Sequence, residues 1–373
     1  MLSMELWLRL LLAAALAFAV SFLMTPPVKR FAERVGAIDV PKDGRRVHDH
    51  PIPRMGGLAI FMGFVLAVLL CVNMSTQVMG ILLGAVIIAV IGAVDDIVSL
   101  KPLVKLAGQI LAAVVAIRCG VVFDTISNPN LFSQETFIQI GSLAVPLTLL
   151  WIVGCTNAVN LIDGLDGLAV GVSAISSLTM MVASLYVASP FVSIMLAALV
   201  GACAGIMPYN LNPAKIFMGD VGSQFLGFVL STVSIMGLFK FHAIISFIVP
   251  VLALAVPLTD TVFAFFRRIA HGQSPFQADR GHLHHRLLAM GMDQKQAVAV
   301  IYGISALLGL VAVLLTGDSL RLRVVCLVLA LAVSIVVWLF VFRHNTRLHP
   351  PRPVEEEVRA QEERERDASQ EGG

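Results

Sequence analysis

Five clusters of polar residues interrupt an otherwise apolar chain, and their residue types suit phosphate and hard-cation chemistry. Asp95 and Asp96 sit side by side at the end of an apolar run. Adjacent carboxylates at a membrane boundary repel each other unless a cation or base compensates. They fit a divalent-metal or phosphate-transfer site, or more simply a solvated helix end beside Lys101 and Lys105. Asn157, Asn160, Asp163 and Asp166 recur at every third position. A step of three on an α-helix turns about 300°, so such a row drifts by about 60° each time. The four share a face only if the backbone is 3₁₀-like or looped, which Gly164 and Gly167 permit. Neutral and anionic side chains on one strip would suit a nucleotide and a hard cation.

The run from Lys215 to Ser223, with Gly219, Asp220 and Gly222, leads into a further apolar segment. Ser223 is expected to cap that helix, and Gly222 allows a close backbone approach. A helix N-terminus attracts anions, so Asp220 is expected to hold Mg²⁺ against a pyrophosphate; capping alone is the plainer alternative. His282, His284 and His285 fall within four residues, between Arg280 and Arg286. No cysteine joins them, so a phosphate grip fits better than a transition-metal site. Finally, Arg45, Arg46, His48 and Arg54 lie among Pro41, Pro51 and Pro53. The prolines keep that stretch extended and the bases suit an anionic partner, or merely a basic loop at a membrane surface.

The elements that must position these groups are apolar. The chain has 373 residues, 58% hydrophobic and 13% charged. Of its 50 charged residues, 14 lie between Arg343 and Gly373, which leaves 36 for the first 342 positions. A soluble surface cannot be made from so few charges. The same figures exclude disorder and a disulfide-stapled secreted domain. Cys71, Cys119, Cys155, Cys203 and Cys326 occur singly and are expected to be packing residues. The net charge of +2 gives no reason to expect nucleic acid. No cleavable signal peptide is evident, because the first apolar run lacks a basic flank and a small-residue cleavage site.

Runs long enough to span a bilayer lie near 5–24, 56–73, 78–94, 104–119, 143–158, 167–187, 190–207, 223–239, 243–265, 297–316 and 323–342. The fold expected is all-α and polytopic, with about 11 transmembrane helices. Pro250 and Pro257 should kink or break the ninth. Of the Lys and Arg residues, 21 fall on one side of this arrangement and five on the other. By the positive-inside rule, the N-terminus is outside and the C-terminus cytoplasmic. Twelve of the 16 acidic residues that precede the tail share the basic side, so polar chemistry concentrates at the cytoplasmic face. Alternation over 121–126 and 136–140 suggests a short external β-hairpin. Residues 1–342 are expected to form the membrane domain, and 343–373 a charged cytoplasmic tail without apolar periodicity, disordered or a solvated helix.

Taken in order, five motifs carry a specific resemblance. They are Arg46-Val-His48 with Pro53-Arg54-Met-Gly56-Gly57; Asp95-Asp96; Asn160-Leu-Ile-Asp163-Gly-Leu-Asp166-Gly167; Phe217-Met-Gly-Asp220-Val-Gly-Ser223; and His282-Leu-His284-His285-Arg286. Together they resemble the polyprenyl-phosphate N-acetylhexosamine-1-phosphate transferases, and the histidine motif is closer to the WecA/TagO-like branch. The resemblance spans residues 1–342. It implies a bacterial inner-membrane enzyme that moves GlcNAc-1-phosphate from UDP-GlcNAc to undecaprenyl phosphate and releases UMP. That is the first lipid-linked step of an envelope polysaccharide, such as O-antigen or teichoic acid. It implies Mg²⁺, or Mn²⁺ in its place, at Asp220 and Asp96, with Asp95 and Asp96 at the reaction centre. Substrates would meet Arg46, His48, Arg54, Asn157, Asn160, Asp163, Asp166, Lys215, His282, His284, His285 and Arg286. Expected partners are the two substrates and the bilayer, with a homodimer as the assembly considered. A secondary transporter is the competing class, but it would carry charged residues near mid-span, and none is placed there.

Overall fold

The computed structural model describes residues 3–40, 50–127, 137–186, 190–237, 245–270, 282–316 and 320–345. Arg46, His48 and the tail beyond Asn345 lie outside the described residues. The described chain is mostly helical. The helices are α1 (Met4–Val35), α2 (Gly57–Cys71), α3 (Thr76–Val98), α4 (Pro102–Arg118), α5 (Ala144–Ile162), α6 (Leu168–Tyr186) and α7 (Pro190–Asn210). They continue with α8 (Gly219–Gly237), α9 (Ile245–Ala253), α10 (Ala255–Ala270), α11 (Leu283–Ala289), α12 (Gln294–Thr316) and α13 (Leu320–Asn345). Among the described residues, six segments are long and apolar enough to cross a membrane: α1, α3, α5 with the 3₁₀ turn before it, α6, α7 and α12.

Local rules explain several boundaries. The Ser3 hydroxyl accepts from the Leu6 amide and caps α1; Ser75 does the same for α3 through the Val78 amide. α1 continues well past the expected span and stops at Gly36, whose φ of 75° suits the left-handed C-terminal position. The ninth apolar run is two helices that part at Leu254. Pro257 has no N–H to offer the Ala253 carbonyl. Instead Ser176 of α6 donates its hydroxyl to that carbonyl.

α8 is the axis of the bundle. Every residue from Val221 to Gly237 is buried, against α3 and α5 with α2 beside them. Small residues make this possible. A Cβ on Gly57 or Gly92 would collide with the α8 backbone at Val221 and Gly222. α1 and α7 pack as closely, with Gly201 against the Ala14 carbonyl and Gly205 against Phe18 and Ser21. Leu8, Leu11, Leu70, Val90, Leu111, Leu150 and Val328 are exposed on the outside of the bundle. An apolar exterior on apolar helices is the arrangement a bilayer covers, and the chain is a multi-pass membrane protein.

Two small strand pairs occur among the described residues. β3 (Thr125–Ser127) pairs antiparallel with β4 (Phe137–Gln139). β1 (Ile38–Asp39) pairs antiparallel with β2 (Ile52–Pro53). The chain after β2 is then stitched to the segment before α8: Phe217 N donates to Pro53 O at 2.8 Å and Gly56 N to Phe217 O at 2.9 Å. These bonds fix Arg54 and Gly219 relative to each other, and they do so at one end of the bundle.

Candidate active site

At that end, a cavity of about 490 Å³ is lined by residues from separate stretches of chain that run from Asp39 to Gln294. Arg54, Asp96, Asn160, Asp163, Asp166, Asp220 and His285 all line it. So do Asp39, Lys105, Asn210, Ser223 and Gln294, which the sequence reading did not assign to the site. Among these Lys105 had a legible signal, a lone base in the first turn of the helix that follows the Asp95-Asp96 pair.

Asp96 is fully buried and its carboxylate accepts from the amides of Asp220 at 3.0 Å and Val221 at 3.3 Å. It therefore caps α8 from a different helix. Ser223, expected to be the cap, lies a full turn inside. Its hydroxyl donates to Gly219 O at 3.0 Å and accepts from Asn160 at 2.8 Å. The helix can begin early because Gly219 adopts φ 73°, and because a Cβ there would strike the Asp96 carboxylate. Arg54 in turn donates to the Asp96 carbonyl at 3.0 and 3.1 Å and to the Asp95 carbonyl at 3.4 Å, closing the C-terminus of α3.

Asp220 accepts from Asn160 at 2.7 Å and Gln224 at 3.3 Å, and pairs with Lys105 at 3.4 Å. Lys105 also pairs with Asp95, whose other oxygen accepts from the Leu100 amide at 2.6 Å. Asp95 is buried behind Lys105 and does not line the cavity. Asn157 is turned away by the drift of the helical row: α5 stays α-helical to Ile162, and Asn157 reaches Gln109 at 2.7 Å instead. Gln109 donates to Gln224 at 3.0 Å, so a buried amide chain runs from Asn157 to Asp220. Asp163 and Asp166 reach the cavity because the helix has ended before them. Asp166 accepts from Asn212 and the Ala214 amide, both at 3.0 Å, and Asn212 also donates to Gln294 at 2.7 Å.

The histidine run divides. His282 and His284 are buried away from the lining, and only His285 faces the cavity. His284 packs against Gly164, where any Cβ would meet its ring. Burial, and then the neighbouring His285 and His282, hold its pKa down to about 4, so the ring is neutral. Lys215 and Arg286 are exposed and lie outside the lining.

The donor set fits a hard divalent cation. Five carboxylates, of Asp39, Asp96, Asp163, Asp166 and Asp220, line the cavity, with Lys105 and Arg54 as its bases. Burial, with repulsion from Asp220, Asp96 and Asp166, pushes the Asp163 carboxyl up to about 8. That is the sign of a place short of positive charge. Among the described residues no group of three His, Cys, Asp or Glu side chains is gathered closely enough to hold a metal ion by itself, so substrate oxygens or waters would have to complete any coordination. Mg²⁺ suits such a site because it keeps waters and takes phosphate oxygens as ligands.

An acidic cavity of this kind, at one end of a multi-pass apolar bundle, defines a membrane enzyme for phosphorylated substrates. The glycosyl transferase family 4 model matches residues 78–238. A probable undecaprenyl-phosphate N-acetylglucosaminyl 1-phosphate transferase of Bacillus subtilis is 41% identical over 319 residues, covering 85% of this chain and 88% of that protein. The chain belongs to this family, the polyprenyl-phosphate N-acetylhexosamine-1-phosphate transferases. The decaprenyl-phosphate N-acetylglucosaminephosphotransferase of Mycobacterium tuberculosis H37Rv is 36% identical over 324 residues, 79% of each chain. A Staphylococcus aureus phospho-N-acetylmuramoyl-pentapeptide-transferase is 29% identical over 322 residues, 81% of this chain and 96% of that one.

Proposed function

We propose that the protein transfers GlcNAc-1-phosphate from UDP-GlcNAc to undecaprenyl phosphate, giving undecaprenyl-diphosphate-GlcNAc and UMP. One observation carries this reading: Asp96, Asp163 and Asp220 converge with Lys105, Arg54 and His285 in one cavity at the end of an apolar bundle. A lipid phosphate arrives from the bilayer and a nucleotide sugar from water, so a shared site belongs at such a boundary. We further propose eleven passes, the N-terminus outside, β3 and β4 on the external side, and the cavity at the cytoplasmic face of the inner membrane. The 21-to-five division of basic residues supports that orientation.

Phosphoryl transfer needs chiefly alignment and charge neutralisation. An acceptor phosphate monoester, with a second pKa of about 6, is largely ionised at neutral pH. A lipid-phosphate oxygen attacks the β-phosphorus of UDP-GlcNAc, the bond to the bridging oxygen breaks, and UMP leaves. Lys105 and Arg54 supply positive charge to the phosphates. Asp220 would hold Mg²⁺, with Asp163 on the facing loop, while Asp96 fixes the backbone on which Asp220 sits. When bound, the metal supplies charge neutralisation on the pyrophosphate. Asn160 holds Asp220, and Asp166 holds the 212–214 turn.

Detergent-solubilised protein supplied with UDP-GlcNAc and undecaprenyl phosphate is expected to release UMP. Omission of the lipid phosphate, or addition of EDTA, stops release. Appearance of UDP would mean attack at the sugar carbon and would overturn the assignment.

A further inference from the structure

Asp260 is a buried carboxylate that the transfer chemistry does not use. It lies on α10, 9% exposed, outside the cavity lining. Both its oxygens are engaged by a single partner segment. Oδ2 lies 2.9 Å from Nδ1 of His282, itself 5% exposed, and Oδ1 accepts from the Leu283 amide at 2.8 Å. A carboxylate that grips a side chain and the adjoining backbone fixes the orientation of that segment as well as its position. The grip falls at the first residues of α11, so it sets how the short helix leaves α10.

What lies beyond the grip is a stack. The rings of His282 and His284 are parallel within 5°, at 5.9 Å, and His284 meets His285 at 4.3 Å. His284 has its back to Gly164, on the loop that carries Asp163. His285 is the ring of the three that lines the cavity. One end of the row is therefore anchored on α10 and the other faces the substrate space.

We infer that Asp260 is a positioning residue, which docks the histidine run through His282 and Leu283 so that His285 is presented to the cavity. The inference rests on the transferase reading only for its kinetic consequence; the docking itself is independent of it. Asp260→Asn keeps an acceptor for the Leu283 amide and a polar partner for the ring, whereas Asp260→Ala removes both.

Two measurements on the full-length protein in detergent test this. The first is amide hydrogen exchange over residues 283–289, which needs no substrate. Asp260→Ala is expected to speed exchange there by at least about tenfold, with α3 and α8 unchanged, and Asp260→Asn is expected to restore most of the protection. The second is UMP release. Asp260→Ala is expected to lower kcat by about tenfold or more in the wild-type background, and by less than about twofold in a His285→Ala background. Unchanged exchange in Asp260→Ala would overturn the docking. An equal fractional loss of rate in both backgrounds would overturn the route through His285 and leave Asp260 a stability residue. If the wild-type protein released no UMP, the transferase reading would fail, and the exchange result would still decide whether Asp260 docks the segment.

Discussion

At the scale of single residues, the site is a set of carboxylates kept in place by neutral amides and two bases. Asp220 is held by Asn160, Gln224 and Lys105, so its position does not depend on a ligand. Asp220→Asn keeps those contacts in shape but removes the charge. Turnover is expected to fall by at least about 10²-fold, and raising Mg²⁺ is not expected to restore it; UMP release across a Mg²⁺ series measures both. Lys105→Met is expected to lower turnover by about tenfold or more, since it strips the base shared by Asp95 and Asp220. His284 gives a pH signature of its own. Its pKa is held near 4 in the folded protein against about 6.5 when unfolded. The unfolded state thus binds the extra proton, and the stability due to the neutral buried ring is present above pH 6.5 and drains away as the pH falls toward 4. His284→Gln is expected to have a lower Tm at pH 7 but to lose less of it on acidification to pH 5 than the wild-type protein does.

At the scale of elements, the start of α8 is built in trans. Asp96 supplies the cap that a residue just before the helix would ordinarily provide. Asp96→Ala strands two buried amides and is expected to cost about 1–3 kcal/mol. Asp96→Asn, which keeps an acceptor, is expected to cost less; thermal melts in detergent separate the two. This element also shows what could be read from the chain beforehand. Apolar run lengths located the helices well, because burial in lipid or in the bundle demands continuous apolar stretches. The Asp, Asn and Gly spacings picked out Asp96, Asn160, Asp163, Asp166 and Asp220 on the cavity wall, but not Asp39, Lys105, Asn210 or Gln294. The cap was misplaced, because residues 96 and 220 are joined only by the tertiary fold and no local pattern announces a cap from another helix. Asn157 was drawn into the site by a three-residue spacing that the α-helix does not honour. The histidine triplet looked like one unit in the chain, yet burial divides it between Asp260, Gly164 and the cavity.

At the scale of the molecule, the apolar exterior and the polar end define one axis across the bilayer, and its direction can be measured. In a cysteine-free background, a cysteine at Asn73 is expected to react with an impermeant thiol reagent in intact cells, and one at Met290 is not; labelling at Met290 alone would reverse the orientation. The same axis runs through α8, which has no face left for lipid. Ser231, Thr232 and Ser234 return their hydroxyls to carbonyls of their own helix, so they can enter a hydrocarbon setting unaided. Asp220 and Gln224 cannot, because their partners are Lys105, Gln109 and Asn160 on α4 and α5. Those helices, with α2 and α3, all precede α8 in the chain. By the time the ribosome has made α8, every helix that walls its groove has already been made, so the helix can pass from the translocon directly into protein. The order of the gene thus permits an order of assembly in which the walls are raised before the central post is slid between them.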